Sequence, residues 1–347
     1  MNDDGNSDYP VSPDTLTSDP STWKGASLLS VTQISSSGLI LLMELAEQMK
    51  ILVRTHGGDH RLQHRILATC FFEASTRTAC SFQAAMQRLG GTTIHVDGEG
   101  NSSANKKGET LADTMQCLEC YVDLTVLRHP VTGSVGHVVA VAAKKPVINA
   151  GDGTGEHPTQ ALLDLYTICN ELNCDLGSNN NGSNENNGND NTRTLVIVML
   201  GDLKHGRTVH SLSKLFARSG MKVILRYCSP PTLSMPQPIH DYVASYNIKQ
   251  EIFADVDAAL DGADVLYVTR IQKERFENED DYEAVKVSRK RRGKGFAMES
   301  EHDKRLTWRC APRDFRTIFP LYHLPLLLRL QSIATHFLRE PTLSTRR

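Results

Sequence analysis

Residues 64–96 read HRILATCFFEASTRTACSFQAAMQRLGGTTIHV. HRILATCFF is an apolar run of strand length, and TACSFQAAMQRLGG is a helix closed by Gly90-Gly91. TTIHV then opens a second strand. The pattern persists in both directions. Upstream, Leu39, Leu42, Leu45, Met49 and Leu52 fall at helical spacing and predict a helix over residues 36–54. Downstream, GETLADTMQCLECY (108–121) reads as a helix, DLTVLRH and KPVINAG as strands, and PTQALLDLYTICNEL (158–172) as a long amphipathic helix. After an interruption come the strand TLVIVML (194–200), the helix GRTVHSLSKLFARSG (206–220) and the strand KVILRYC (222–228). QPIHDYVASY and DVDAALDGA are further helices, QEIFA and DVLYVTR further strands. Regular β/α alternation of this kind predicts an α/β fold of two domains, each a mainly parallel sheet flanked by helices.

Composition sets the limits. A chain of 347 residues suits two domains at roughly 150 residues each. Its 38 Lys+Arg against 40 Asp+Glu argue against a whole-chain nucleic-acid or membrane-surface binder. No apolar run approaches the ~18 residues of a membrane span. The start, MNDDGNSDYPVSPD, has neither the apolar core of a secretion signal nor the Arg-rich character of a transit peptide. Residues 1–22 are therefore expected to be a disordered extension on a cytoplasmic protein. The Asn/Gly-rich stretch 178–192, SNNNGSNENNGNDNT, cannot bury enough apolar surface to offset its ordering entropy and is expected to be a solvated insertion. Cys117 and Cys120 lack a second Cys/His pair at zinc spacing, so they are expected to be reduced, buried helix thiols, with no metal.

Polar clusters sit where the predicted strands end. Ser75-Thr76-Arg77-Thr78 opens a helix, where free N–H groups and the positive dipole end favour an anion. Arg128-His129-Pro130 ends one strand, and Gly155-Glu156-His157-Pro158-Thr159-Gln160 lies between a strand and a helix. The second half repeats the arrangement with the stretch 201–207, GDLKHGR, and with Thr269-Arg270-Ile271-Gln272-Lys273. Ligands in open parallel sheets sit off the carboxyl ends of strands, so Arg77, Arg128 and His157 can converge. Arg207 and Arg270 suit a substrate with two carboxylates, each fork pairing with one.

FFEASTRTACSF, VLRHP, INAGDGTGEHPTQALLDL, GDLKHGRTVHSL and VLYVTRIQKERF, in that order, closely resemble the motifs of the aspartate carbamoyltransferases. The resemblance covers about residues 23–282 apart from the Asn-rich stretch. HPTQ and TRIQKERF set it apart from ornithine carbamoyltransferase, the weaker alternative. It implies transfer of the carbamoyl group of carbamoyl phosphate to L-aspartate, the second step of de novo pyrimidine synthesis, without metal or cofactor. It also implies a carbamoyl phosphate domain over residues 23–165 and an aspartate domain over 166–286. By motif, Ser75, Thr76, Arg77 and Thr78 would hold phosphate, and Arg128 would bridge phosphate and carbonyl. His157 would bond the carbonyl oxygen and Gln160 the carbamoyl nitrogen. Arg207 and Arg270 would clamp the aspartate carboxylates beside Gln272. Ser103 and Lys107, in the loop GNSSANKKGETLAD, would reach a neighbouring subunit's site, making the enzyme a homotrimer with shared sites.

Three departures accompany the resemblance. Ala79 and Gln83 stand where the family carries an Arg–Glu pair, which predicts a shifted or weaker phosphate site. After Lys286 the family's substrate-spanning His-Pro-Leu-Pro-Arg-like loop does not follow, and residues 287–347 form a divergent tail without clear α/β alternation. Lys286-Val287-Ser288 can be encoded by AAG-GTA-AGT, a consensus intron donor, so the tail reads as a retained intron. A frameshift, or an isoform using RKRRGK (289–294) as a basic patch, is the alternative. The competing expectation is a catalytically impaired chain that binds carbamoyl phosphate or oligomerises.

Overall fold

The structure, a computed structural model, describes residues 12–98, 108–174, 176 and 193–269, together with the backbone of 316–318. Its first unit runs α1 (Ser36–His56), β1 (Ile66–Phe71), α2 (Thr76–Arg88), β2 (Thr92–Asp97), α3 (Leu111–Glu119), β3 (Leu124–His129), α4 (Ser134–Val141), β4 (Val147–Asp152) and α5 (Pro158–Leu172). The second runs β5 (Leu195–Leu200), α6 (Arg207–Ser219), β6 (Val223–Cys228), α7 (Gln237–Ala244), β7 (Lys249–Phe253), α8 (Val256–Leu260), β8 (Val265–Val268) and β9 (Arg316–Ile318). Local chemistry explains the ends of these elements. The Ser35 hydroxyl accepts from Gly38 N to start α1, and Gly57, at φ 76°, stops it in the left-handed conformation.

Both sheets are wholly parallel, in the orders β2-β1-β3-β4 and β7-β6-β5-β8-β9. In each, the chain leaves a central strand first to one side and later to the other. The carboxyl ends of β1 and β3, and of β5 and β8, are therefore topological switch points, where a crevice opens. Register fixes the neighbours: Phe71 stands opposite Arg128, and His129 opposite Asp152. One apolar cluster runs through both units, joining Phe82 and Leu163 to Leu212, Phe216 and Tyr267. Smaller clusters cover the outer faces, one around Cys70, Met115 and Val138, the other around Val198, Leu260 and Leu266. Each large side chain so buried contributes roughly 1.5–3 kcal/mol. Among the described residues no helix is long and apolar enough to cross a membrane.

Several expectations need correction. Residues 12–22 are not disordered. Leu16 is 1% exposed, Asp14 pairs with buried Arg218, and a 3-10 helix spans Pro20–Trp23 with the Trp23 indole donating to Thr17 O at 2.8 Å. A Cβ on Gly38 would stand 2.2 Å from Leu16 O, so only glycine lets the segment lie against α1. Leu28 then pairs with Ile148 along the free side of β4, and Leu28 N donates to Val147 O at 2.9 Å. Polar composition concealed these few anchoring residues. Helix α4 was not foreseen: four valines and Gly136 give it poor intrinsic propensity, and packing of Val135 and Val138 on the sheet stabilises it instead. Cys117 and Cys120 are exposed rather than buried, because α3 turns Leu111, Met115 and Leu118 inward. In the tail, β9 pairs with β8 and extends the second sheet. Residues 1–11, the stretch 178–192 and the rest of the tail lie outside the described residues. The division expected after Leu165 falls inside α5, an unbroken helix.

Candidate active site

Ser75 caps α2 in the chain sense only. Its hydroxyl donates to Thr78 Oγ1 at 2.9 Å and makes no side-chain cap bond. Arg77 is exposed in the first turn and Thr78 is buried. Behind this turn Ala79 is buried, and Gln83 Nε2 donates to Thr69 Oγ1 at 3.1 Å, itself 2.9 Å from His95 Nδ1. Hydrogen bonds through Gln83, Thr69 and His95 thus lie behind the helix terminus, at the positions where the resemblance implied an Arg–Glu pair.

Arg128 comes from the end of β3 and Arg207 from the first turn of α6, and both are buried. Between them lies Glu73, just past β1. Its Oε1 accepts from Arg128 Nη2 at 2.9 Å and Arg207 Nη2 at 3.1 Å, and its Oε2 accepts from Arg207 Nη1 at 2.9 Å. Arg207 Nη1 also donates to Gly153 O at 2.8 Å. A carboxylate gripped by two forks offsets the repulsion between them and ties the first unit to the second. Gly151, at φ 122°, makes the approach possible: a Cβ there would lie 3.0 Å from Arg207 Cζ and 3.2 Å from Arg128 Nη1. Sequence reading passed over Glu73. The available signal was an acid at a strand end, immediately before the helix that carries Arg77.

His157 precedes α5 with Pro158 at the first helical position, and its N–H donates to Ser211 Oγ at 3.0 Å. Burial, then the charges of Arg207 and Arg128, push its pKa well below the usual imidazole value, so the ring is neutral. Thr159 Oγ1 lies 3.3 Å from Nδ1; a bond donated to Nδ1 leaves the proton on Nε2. Gln160, also buried, donates through Nε2 to Asp164 Oδ1 at 2.9 Å. Glu156 is a structural acid. It accepts from Ser30 Oγ, Val31 N and Lys214 Nζ, joining the N-terminal segment to α6. Arg128, His157 and Arg207 are thus brought together. Ser103, Lys107, Arg270 and Gln272 lie outside the described residues, although Thr269, which leads into Arg270, donates to Asp202 O at 3.2 Å. No group of three or more His, Cys, Asp or Glu side chains suited to a metal occurs among the described residues.

The neutral His157 makes stability depend on pH. An unfolded histidine near 6.5 takes up a proton as pH falls, whereas the buried one does not. Its contribution is complete above that value and is lost as pH falls through the lower folded value. The thermal midpoint should drop between about pH 7.5 and 5.5, and less steeply in His157→Gln; equal slopes would remove the assignment.

A site built on two parallel switch points, with a helix-terminal anion cradle and paired guanidiniums, has known counterparts. The family model for the carbamoyl-P binding domain of aspartate/ornithine carbamoyltransferase matches residues 26–170, and that for the Asp/Orn binding domain matches 193–301. The aspartate carbamoyltransferase catalytic subunit of Thermococcus gammatolerans is 41% identical over 266 residues, covering 77% of this chain and 80% of that one. The chain belongs to the aspartate carbamoyltransferase family. The multifunctional protein pyr1-3 of Dictyostelium discoideum is 48% identical over 264 residues, 76% of this chain, yet the match spans only 11% of that protein. The aspartate transcarbamoylase of Trypanosoma cruzi, crystallised with carbamoyl phosphate, superposes with a TM-score of 0.73 at 34% identity, covering 92% of this chain and 98% of that one. The match to the Asp/Orn binding domain runs to residue 301, beyond Lys286, where the departure was expected to begin.

Proposed function

We propose that the chain transfers the carbamoyl group of carbamoyl phosphate to the amine of L-aspartate, giving N-carbamoyl-L-aspartate and phosphate. The observation that carries this reading is Glu73, which holds Arg128 and Arg207 at one place, beside neutral His157. Phosphate is taken by Ser75, Thr76, Arg77 and Thr78 at the start of α2. The aspartate amine attacks the carbonyl carbon, and negative charge grows on the carbonyl oxygen. Arg128, Thr78 and the Nε2–H of His157 are donors for that oxygen. The bond from carbon to the bridging oxygen then breaks, phosphate departs against Arg77 and Arg128, and the amine proton leaves with it. Arg207 and Arg270 take the two carboxylates, with Gln272 beside them, and no protein nucleophile is required. Carbamoyl-aspartate should form from carbamoyl phosphate and aspartate, with none of the corresponding product from ornithine; turnover of ornithine at an equal rate would overturn the reading.

The proposal extends to a cytoplasmic homotrimer in which Ser103 and Lys107 complete the neighbouring subunit's site. Lys107→Ala and Arg77→Ala chains, each inactive alone, should recover activity when mixed. A mixed trimer then holds one site free of both lesions. No recovery in verified mixed trimers would sink the shared site.

A further inference from the structure

Gln160 and Asp164 are four residues apart on α5, so their side chains meet on one face of the helix. Gln160 Nε2 donates to Asp164 Oδ1 at 2.9 Å, and the Tyr267 hydroxyl, arriving from β8, donates to Asp164 Oδ2 at 2.8 Å. The three residues are 5%, 1% and 0% exposed. The two ends of a glutamine amide are nearly alike in shape, and only hydrogen bonding distinguishes them. Both oxygens of Asp164 act as acceptors here, one from Gln160 and one from Tyr267. The carboxylate therefore draws the NH2 end of Gln160 toward itself and turns the carbonyl Oε1 away. Tyr267 fixes the carboxylate in turn, and its strand leads directly into Thr269 and Arg270.

We infer that Asp164, clamped by Tyr267, is a positioning residue that presents Gln160 to the substrate as a hydrogen-bond acceptor, and so selects acyl phosphates bearing an amino group on the carbonyl carbon. This rests on the reading that Gln160 meets the carbamoyl nitrogen. A carbamoyl NH2 is a donor; against a reversed Gln160 it would face another NH2. Acetyl phosphate, with a methyl group in that place, is the matching probe. A buried acceptor left against a methyl group weakens binding by about 10- to 100-fold.

Asp164→Asn tests the inference while keeping the shape. Tyr267 would donate to the new amide's oxygen, so the asparagine NH2 would face Gln160 and turn its amide round. The full chain is titrated calorimetrically with carbamoyl phosphate, acetyl phosphate and inorganic phosphate, after circular dichroism has verified folding. The unaltered chain should prefer carbamoyl over acetyl phosphate by about 10-fold or more. Gln160→Ala should abolish that preference; if it does not, the role of Gln160 itself fails. If Gln160→Ala abolishes it, Asp164→Asn should do the same, with phosphate affinity changed less than about 3-fold. A preference that survives Asp164→Asn overturns the inference. So does an equal loss for all three ligands, which would mark a purely structural residue. Should Asp164→Asn fail to fold, Tyr267→Phe decides: a preference reduced several-fold supports the clamp, and an unchanged one overturns it.

Discussion

Replacing Arg128 with alanine is expected to lower kcat/KM for carbamoyl phosphate by roughly 10³-fold. Loss of one donor to a developing oxyanion costs about 3–4 kcal/mol, which is a factor of 10²–10³. Arg128 also serves the phosphate, so the loss should reach the upper end. The fold should persist, because Glu73 still accepts from Arg207 Nη1 and Nη2, and β3 is otherwise held by Leu124, Val126 and Leu127. Arg128→Lys should rescue little. An ammonium is a point charge and cannot reach Glu73, a carbonyl oxygen and a phosphate with one planar fork. Steady-state kinetics on the three proteins, with thermal midpoints beside them, make the comparison. A fall of less than about 10-fold in the alanine variant would remove Arg128 from the reacting centre.

How far the sequence spoke for itself differs from element to element. Strands β1, β3, β4 and β5 were legible because parallel strands covered on both faces are written as continuous apolar runs. Helix α2 was legible from its closing Gly90-Gly91, and the polar clusters around Arg128, His157 and Arg207 from their positions after strand ends. Helix α4 was not legible, since its valines favour a strand locally and only the sheet beneath makes it helical. The N-terminal segment failed for a related reason. Leu16, Trp23 and Leu28 are dispersed among Asp, Ser and Thr, and no periodicity marks residues that bury themselves one at a time. Glu73 and Asp164 were hidden differently. Each lies in a quoted motif, but its partners stand far away in sequence, Glu73 with Arg207 and Asp164 with Tyr267. A linear reading offers no pairing between a carboxylate just past β1 and an α6 guanidinium.

Glu73→Gln should lower kcat by roughly 10- to 100-fold and raise the KM for aspartate by about 10-fold, with carbamoyl phosphate affinity changed less than about 3-fold. The substitution keeps the size of the side chain and removes its charge. One oxygen then remains to accept, while the new NH2 would turn a donor toward a guanidinium, where a donor is unwelcome. Arg128 and Arg207 would lose the charge that lets two cations stand at one place. Their repulsion would separate the unit that carries Arg207 from the one that carries Arg128. The side chain of Glu73 is 26% exposed, so solvent screens part of the loss and the effect falls short of that for a fully buried pair. Phosphate recognition is local to α2 and β3 and should survive. Aspartate recognition should not, because Arg207 must stand within reach of a carbamoyl group held by the other unit, and a displacement of about 1 Å can cost ~100-fold. Small-angle scattering gives an independent reading, with a larger radius of gyration expected for the variant when both substrates are bound. If carbamoyl phosphate affinity falls as far as aspartate affinity, Glu73 supports the phosphate site and does not join the two units.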